Sequence, residues 1–140
     1  MKILLAVDGS PYTKKMLAYL AAHPEFLVDA TTVTVLTVMP PLPPRARAAL
    51  GKKEVDSFQA EEAAKVIDPA IKFLTRKGIK AKAAWKVGPP GETIAKLADT
   101  GKFDLIIMGS HGRGALRNLV MGSVATKVLA QSEVPVLLVR

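Results

Sequence analysis

Cysteine is missing altogether, so neither a structural disulfide nor a thiolate metal site is possible, and the chain suits a reducing compartment. With only His23 and His111 as imidazole ligands, a zinc site is disfavoured as well. Aromatic residues make up 5% of the sequence, which leaves few stacking platforms for single-stranded nucleic acid. Long apolar runs are lacking too. Ile3 to Val7 is closed by Asp8, too short for the core of a signal peptide, and no window has the length of a membrane-spanning helix. The expectation is a cytoplasmic protein with no membrane partner. Three familiar signatures are also absent: Gly-x-x-x-x-Gly-Lys-Ser/Thr, Gly-x-Ser-x-Gly, and a Gly-x-Gly-x-x-Gly after the first strand, where Asp8-Gly9-Ser10 stands instead.

What the chain does have is positive charge and alternating elements. Its 20 Lys+Arg against 12 Asp+Glu give a formal charge of +8, which favours an anionic partner. The basic residues are scattered rather than blocked, the pattern of a solvated surface, and nucleic acid is disfavoured as the partner. A chain of 140 residues, 49% hydrophobic, suits one globular domain over residues 1–140.

Strand-like and helical segments alternate along it, the pattern of a parallel sheet flanked by helices. Lys2 to Val7 reads as the first strand. Ser10-Pro11 opens a helix, with serine suited to the N-cap and proline to the first turn, and His23-Pro24 ends it. Val33 to Met39 is a β-branched second strand. Pro40 to Arg47 reads as a loop of polyproline character. A long helix is written from about Glu54 to Lys77, with a kink or break expected at Pro69. The third strand alternates, with Ile79, Ala81, Ala83, Trp85 and Val87 expected inward, Trp85 as core, and Lys80, Lys82 and Lys86 outward, as suits a protected edge. Pro89-Pro90-Gly91 leads into a short helix carrying Ile94, Leu97 and Ala98. Asp104 to Met108 is the fourth strand. After Gly122-Ser123 a last helix turns Val124, Ala125, Val128 and Leu129 inward, and Val134 to Val139 is the fifth strand.

Strand character and right-handed crossovers fit a five-stranded parallel sheet in the order 3-2-1-4-5. Its winding reverses between the first and fourth strands, and ligands in such sheets bind outside the carboxyl ends at that point. Asp8 ends one strand there and Gly109 the other. Gly109, Gly112 and Gly122 let backbone approach a ligand closely, and Gly122-Ser123 stands at a helix N-terminus, whose unpaired N–H groups suit a phosphate. The fifth strand is an apolar edge with no charge before Arg140. Antiparallel pairing of two such edges through Val134 to Val139 would give a homodimer, and cover by a loop of the same chain is the alternative.

Gly109-x-x-Gly112, nine residues, then Gly122-Ser123 resembles the nucleotide signature of the universal stress protein family, in its ATP-binding branch. Val7-Asp8-Gly9-Ser10, Thr37-Val38-Met39, Asp104 to Gly109 and Val134 to Val139 extend the resemblance along the chain. The resemblance implies an α/β, Rossmann-like three-layer sandwich of the adenine nucleotide alpha hydrolase-like type. It also implies a homodimer that binds ATP, with Mg2+ as an optional companion, and acts as a nucleotide-dependent stress-response sensor or regulator without dedicated catalytic residues. By the same resemblance Ala6, Val7 and Asp8 stand beside adenine and ribose, and Val38 against the base. Met108 and Gly109 line the base and ribose side, and Gly112, Arg113, Gly122, Ser123 and Val124 surround the phosphates. The regulatory protein partner is left open.

Plainer roles compete for these residues. Asp8 can simply shape the turn before the first helix, and Ser123 can be only an N-cap. His111 reads better as a loop polar group than as a catalyst, and Arg113 and Arg117 can be ordinary surface charges. The competing function is a slow ATPase or phosphotransferase using the same pocket. For the sensor, bound nucleotide is expected to order Ser110 to Met121, together with Pro40 to Pro44.

Overall fold

The computed structural model describes residues 1–28, 32–112 and 120–140. Five strands, β1 (Lys2–Ala6), β2 (Thr32–Met39), β3 (Lys82–Val87), β4 (Leu105–Gly109) and β5 (Val136–Val139), form one sheet in the order β3-β2-β1-β4-β5. Every pairing is parallel, with Leu5 opposite Val35 on one side and Ile107 on the other. The order is the one expected from strand character. The helices are α1 (Pro11–Ala22), α2 (Glu25–Val28), α3 (Pro44–Leu50), α4 (Lys52–Arg76), α5 (Pro90–Thr100) and α6 (Ser123–Gln131).

Both faces of the sheet are covered, because the central strands carry apolar residues on both faces and so demand two cores. Ile3, Leu5, Val33, Val35 and Ile107 meet Met16 and Leu20 of α1 and Ile67 and Leu74 of α4. The alternate residues Leu4, Leu36 and Ile106 meet Ile94 and Ala98 of α5 and Ala125 and Val128 of α6. The period of two along each strand assigns successive side chains to opposite layers. Gly91 lets α5 and α6 close up: a Cβ there would lie 2.5 Å from Cβ of Lys127.

Several local expectations are corrected. β1 ends at Ala6, one residue before Val7, β2 begins at Thr32, β3 begins only at Lys82, and β5 begins at Val136 rather than Val134. The proline-rich stretch is not loop throughout, because Pro44 starts α3. The first helical turn needs no N–H from its leading residue, so proline is at home there. Gly51, with φ +78, then separates α3 from α4. The break expected at Pro69 is absent, and α4 runs on to Arg76. Pro69 and Lys65, whose carbonyl loses its donor, are both exposed, so that carbonyl is open to solvation and the helix can continue.

Trp85 is not core. It is 36% exposed, and Ala83 and Val87 on the same face are exposed too. Ile79 and Ala81 do pack on the α4 core, but α4 lies chiefly over β2 and leaves the upper part of the edge strand uncovered. On the opposite face Ala84 packs against the second core. Leu129, expected inward on α6, is 45% exposed. α2, between His23 and β2, was not anticipated from the sequence.

Candidate functional site

At the carboxyl ends of β1 and β4 the two arms of the expected site come together. A cavity of about 380 Å³ opens there, within the size range of small-molecule sites. Ala6, Val7 and Asp8 line it from β1 and its turn, Val38 from β2, and Met108 and Gly109 from β4. Gly112 and, at the start of α6, Gly122, Ser123 and Val124 line it as well. Topology makes this juxtaposition, since about a hundred residues separate Asp8 from Gly109 in sequence. Arg113 falls outside the described residues, as does most of the loop before Gly122.

The Asp8 turn is held by a compact hydrogen-bond set. Oδ1 of Asp8 accepts from the Ser10 N–H at 2.9 Å and from the Thr13 hydroxyl at 2.9 Å. The same Thr13 oxygen accepts from the Asp8 N–H at 3.1 Å. Gly9 takes φ +75 to make the turn, and Ser10 caps α1 by accepting from the Thr13 N–H at 3.4 Å. The plain turn-shaping role of Asp8 is therefore real, but it occupies Oδ1. Oδ2 is turned to Gly112, where a Cβ would stand 2.7 Å from it.

The glycine arm works by steric absence. A Cβ on Gly109 would lie 2.7 Å from Cβ of Tyr12, and one on Gly122 would lie 3.0 Å from Cα of His111 and 3.2 Å from the carbonyl oxygen of Ser110. None of these three glycines has positive φ, so close approach, not backbone freedom, is what requires them. The Gly122 N–H donates to the Ser110 carbonyl at 2.7 Å and the Ser110 N–H to the Val139 carbonyl at 2.8 Å, tying the arm to β5. Gly122 is the N-cap of α6 and offers no side chain. Ser123 is therefore the first helical residue, not the cap; it is exposed and borders the cavity.

The remaining wall is mostly apolar. Leu36, Pro40, Pro90 and Ile94 surround the Val38 end, while Thr13, His111 and Ala125 add to the other side. None of these seven is among the contacts expected from the sequence, although Pro40 and His111 lie in the two segments expected to order on nucleotide. Leu36 was within reach, because it precedes Val38 by one strand period and shares its face. Pro90 and Ile94 come from α5, and only the packing of that helix over β2 brings them there. His111 stacks on Tyr12 with ring centroids 4.8 Å apart, and its Nδ1 lies 2.8 Å from the Ser110 hydroxyl.

The arrangement can hold a ligand with a flat apolar part and an anionic part. Carbon side chains face one end, Asp8 stands between as a hydrogen-bond acceptor, and the α6 N-terminus provides backbone donors at the other. Comparison with known proteins decides the family: the profile of the Universal stress protein family matches residues 1–140. The chain belongs to the universal stress protein family. A family member from Thermus aquaticus is 35% identical over 142 aligned residues, covering 99% of this chain and 97% of that protein. One from Synechocystis sp. is 32% identical over 139 residues, 99% of this chain but 42% of that protein, so the chain spans less than half of that relative's length. Among family structures, that of the Methanocaldococcus jannaschii protein MJ0577 superposes with a TM-score of 0.80 at 33% identity, covering 99% of this chain and 94% of the other. A universal stress protein from Archaeoglobus fulgidus, solved in complex with dAMP, has a TM-score of 0.67 at 23% identity and covers 100% of this chain and 98% of its own. At that identity the likeness shows the fold alone.

Proposed function

We propose that this chain binds an adenine nucleotide, ATP in particular, and acts as a nucleotide-dependent regulator. The observation that carries the reading is that Val38 and Met108, Asp8, and Gly112 with Gly122-Ser123 all line one cavity. In this reading the base lies against Val38 and Met108, and Oδ2 of Asp8 accepts from a ribose hydroxyl. The phosphates meet the N–H groups at Gly112 and the α6 N-terminus and the Ser123 hydroxyl. Arg113, outside the described residues, is assigned to the phosphates by the family resemblance alone. No trio of His, Asp or Glu placed to hold a metal occurs among the described residues, so Mg2+ would be held by the phosphates and water, with little protein coordination. Membership of a family in which Archaeoglobus fulgidus has a structure with dAMP, and another member one with cAMP, supports adenine as the base.

A homodimer through β5 belongs to the same proposal. Val136, Leu137 and Leu138 on that edge strand are only half-buried, which leaves apolar surface for a second edge to cover. No described helix is long and apolar enough to cross a membrane, as the proposed cytoplasmic setting requires.

The test is to denature freshly purified protein and identify any released nucleotide by chromatography and mass spectrometry, then to titrate ATP, ADP and AMP into the stripped protein. Stoichiometric release or saturable ATP binding is expected. Empty protein that binds none of the three overturns the reading while leaving the fold in place. Sedimentation equilibrium should return twice the chain mass of 14.9 kDa, and a monomer at all concentrations removes the dimer.

A further inference from the structure

The stretch Pro40-Pro41-Leu42-Pro43-Pro44-Arg45-Ala46-Arg47 contributes to neither core, and the cavity uses only its first residue. Residues 40–43 form neither helix nor strand. Pro43 has φ −54 and ψ 146, close to polyproline II geometry. Proline rings restrict this stretch to the same region, and a polyproline II turn has three residues, so over residues 40–43 Pro40 and Pro43 share one edge, Pro41 takes a second, and Leu42 stands on the third. Exposure follows the same division: all four prolines are exposed and Leu42 is half-buried. The leucine edge is thus turned to the protein, and Pro41 and Pro43 face outward, while Pro40, also exposed, borders the cavity.

The charge beside them has one sign. No Asp or Glu occurs from Pro40 to Lys53, while Arg45, Arg47, Lys52 and Lys53 all do, and every one of these cations is exposed. None forms an ion pair among the described residues. α3, which carries the two arginines, has no buried residue. A short helix with no fully buried residue adds little to the fold, and its two arginines are presented outward.

We propose that Pro40 to Arg47 is a docking segment for a protein partner that presents an aromatic-lined groove with an acidic rim. Proline rings on two edges of a preformed polyproline II turn fit between aromatic side chains at low entropic cost. Arg45 and Arg47 supply the charge that fixes direction and complements the acidic rim. The proposal goes beyond nucleotide binding and holds whether or not the cavity is filled.

The test uses the whole protein and, as the probe groove, an isotope-labelled SH3 domain with acidic residues beside its aromatic slots. Saturable shifts confined to the groove resonances are expected. Pro41→Ala/Pro43→Ala should weaken them at least tenfold, and Arg45→Glu/Arg47→Glu by a similar factor; thermal unfolding should be unchanged in the arginine variant, whose altered side chains are exposed, and lowered by only a few degrees in the proline variant, whose unfolded chain is freer. No saturable shift with the unaltered protein overturns the proposal, and so does binding that survives the proline substitutions. Sedimentation with vesicles of phosphatidylcholine and phosphatidylserine serves as the counter-measurement. Vesicle binding lost in the arginine variant but kept in the proline variant would mean a lipid surface, and would overturn the protein groove.

Discussion

The turn after β1 is fixed by side-chain hydrogen bonds, whereas the arm after β4 is fixed by close backbone contacts that only missing side chains allow. Around Asp8, the Ser10 N–H and the Thr13 hydroxyl bind one carboxylate oxygen and leave the other turned to Gly112. Around Gly122, backbone of residues 110 to 112 approaches so closely that a Cβ would meet His111 Cα at 3.0 Å. Polar groups can adjust by rotation when a neighbour changes, but packed backbone cannot. The two arms should therefore fail differently. Losses in the first should be graded and mutually compensable, and losses in the second abrupt.

The abrupt case is Gly122→Val. Two branches on Cβ would be driven into the backbone of Ser110 and His111, and ATP affinity measured by calorimetry should fall by about a hundredfold or more, on the order of 3 kcal/mol. Retained binding would mean that the arm opens freely, and the contrast between the arms would disappear. Ser123→Ala comes next, with an expected loss of about 1.5 to 3 kcal/mol, roughly tenfold to a hundredfold in Kd, and unchanged thermal stability, because Ser123 caps nothing. An unchanged Kd would remove its hydroxyl from the site.

Gly112→Ala lies where the arms touch. Its Cβ would press on Oδ2 of Asp8 at 2.7 Å, a side-chain atom that can move only by disturbing Oδ1 and its two donors. An affinity loss of about 1 to 2 kcal/mol is expected. In an Asp8→Ala background the same substitution should cost much less, and a double-mutant cycle measures that coupling. Additive effects would show that the arms do not meet in solution. The smallest effect is predicted for Thr13→Val, which keeps shape but removes the hydroxyl that anchors Asp8. About 1 kcal/mol should be lost, read as a severalfold rise in Kd for ATP and a small drop in melting temperature.

Sequence reading recovered the arms better than the walls. Asp8, Ser10 and Pro11 announce a turn and a helix start by local chemistry, and the structure places the cap at Ser10. Gly109, Gly112 and Gly122 announce close approach, although positive φ, one reason glycine can be used, plays no part there. Trp85 illustrates the opposite case. Its alternation with Ala83 and Val87 defines a face correctly, yet that face is exposed at the sheet edge because α4 is centred elsewhere. Periodicity says which residues share a side, not how far a neighbouring helix extends over it.

By itself the sequence determined the parallel sheet, its strand order and the meeting of Asp8 with the glycine arm. These follow from apolar central strands, crossover handedness and short-range backbone chemistry, all of which act locally or through topology. Only the tertiary structure decided that Pro90 and Ile94 of α5 close the cavity, that Gly122 rather than Ser123 caps α6, and that Trp85 stays uncovered. Those outcomes depend on where rigid helices come to rest on the sheet, which is set by the summed packing of side chains distant in sequence rather than by any segment alone.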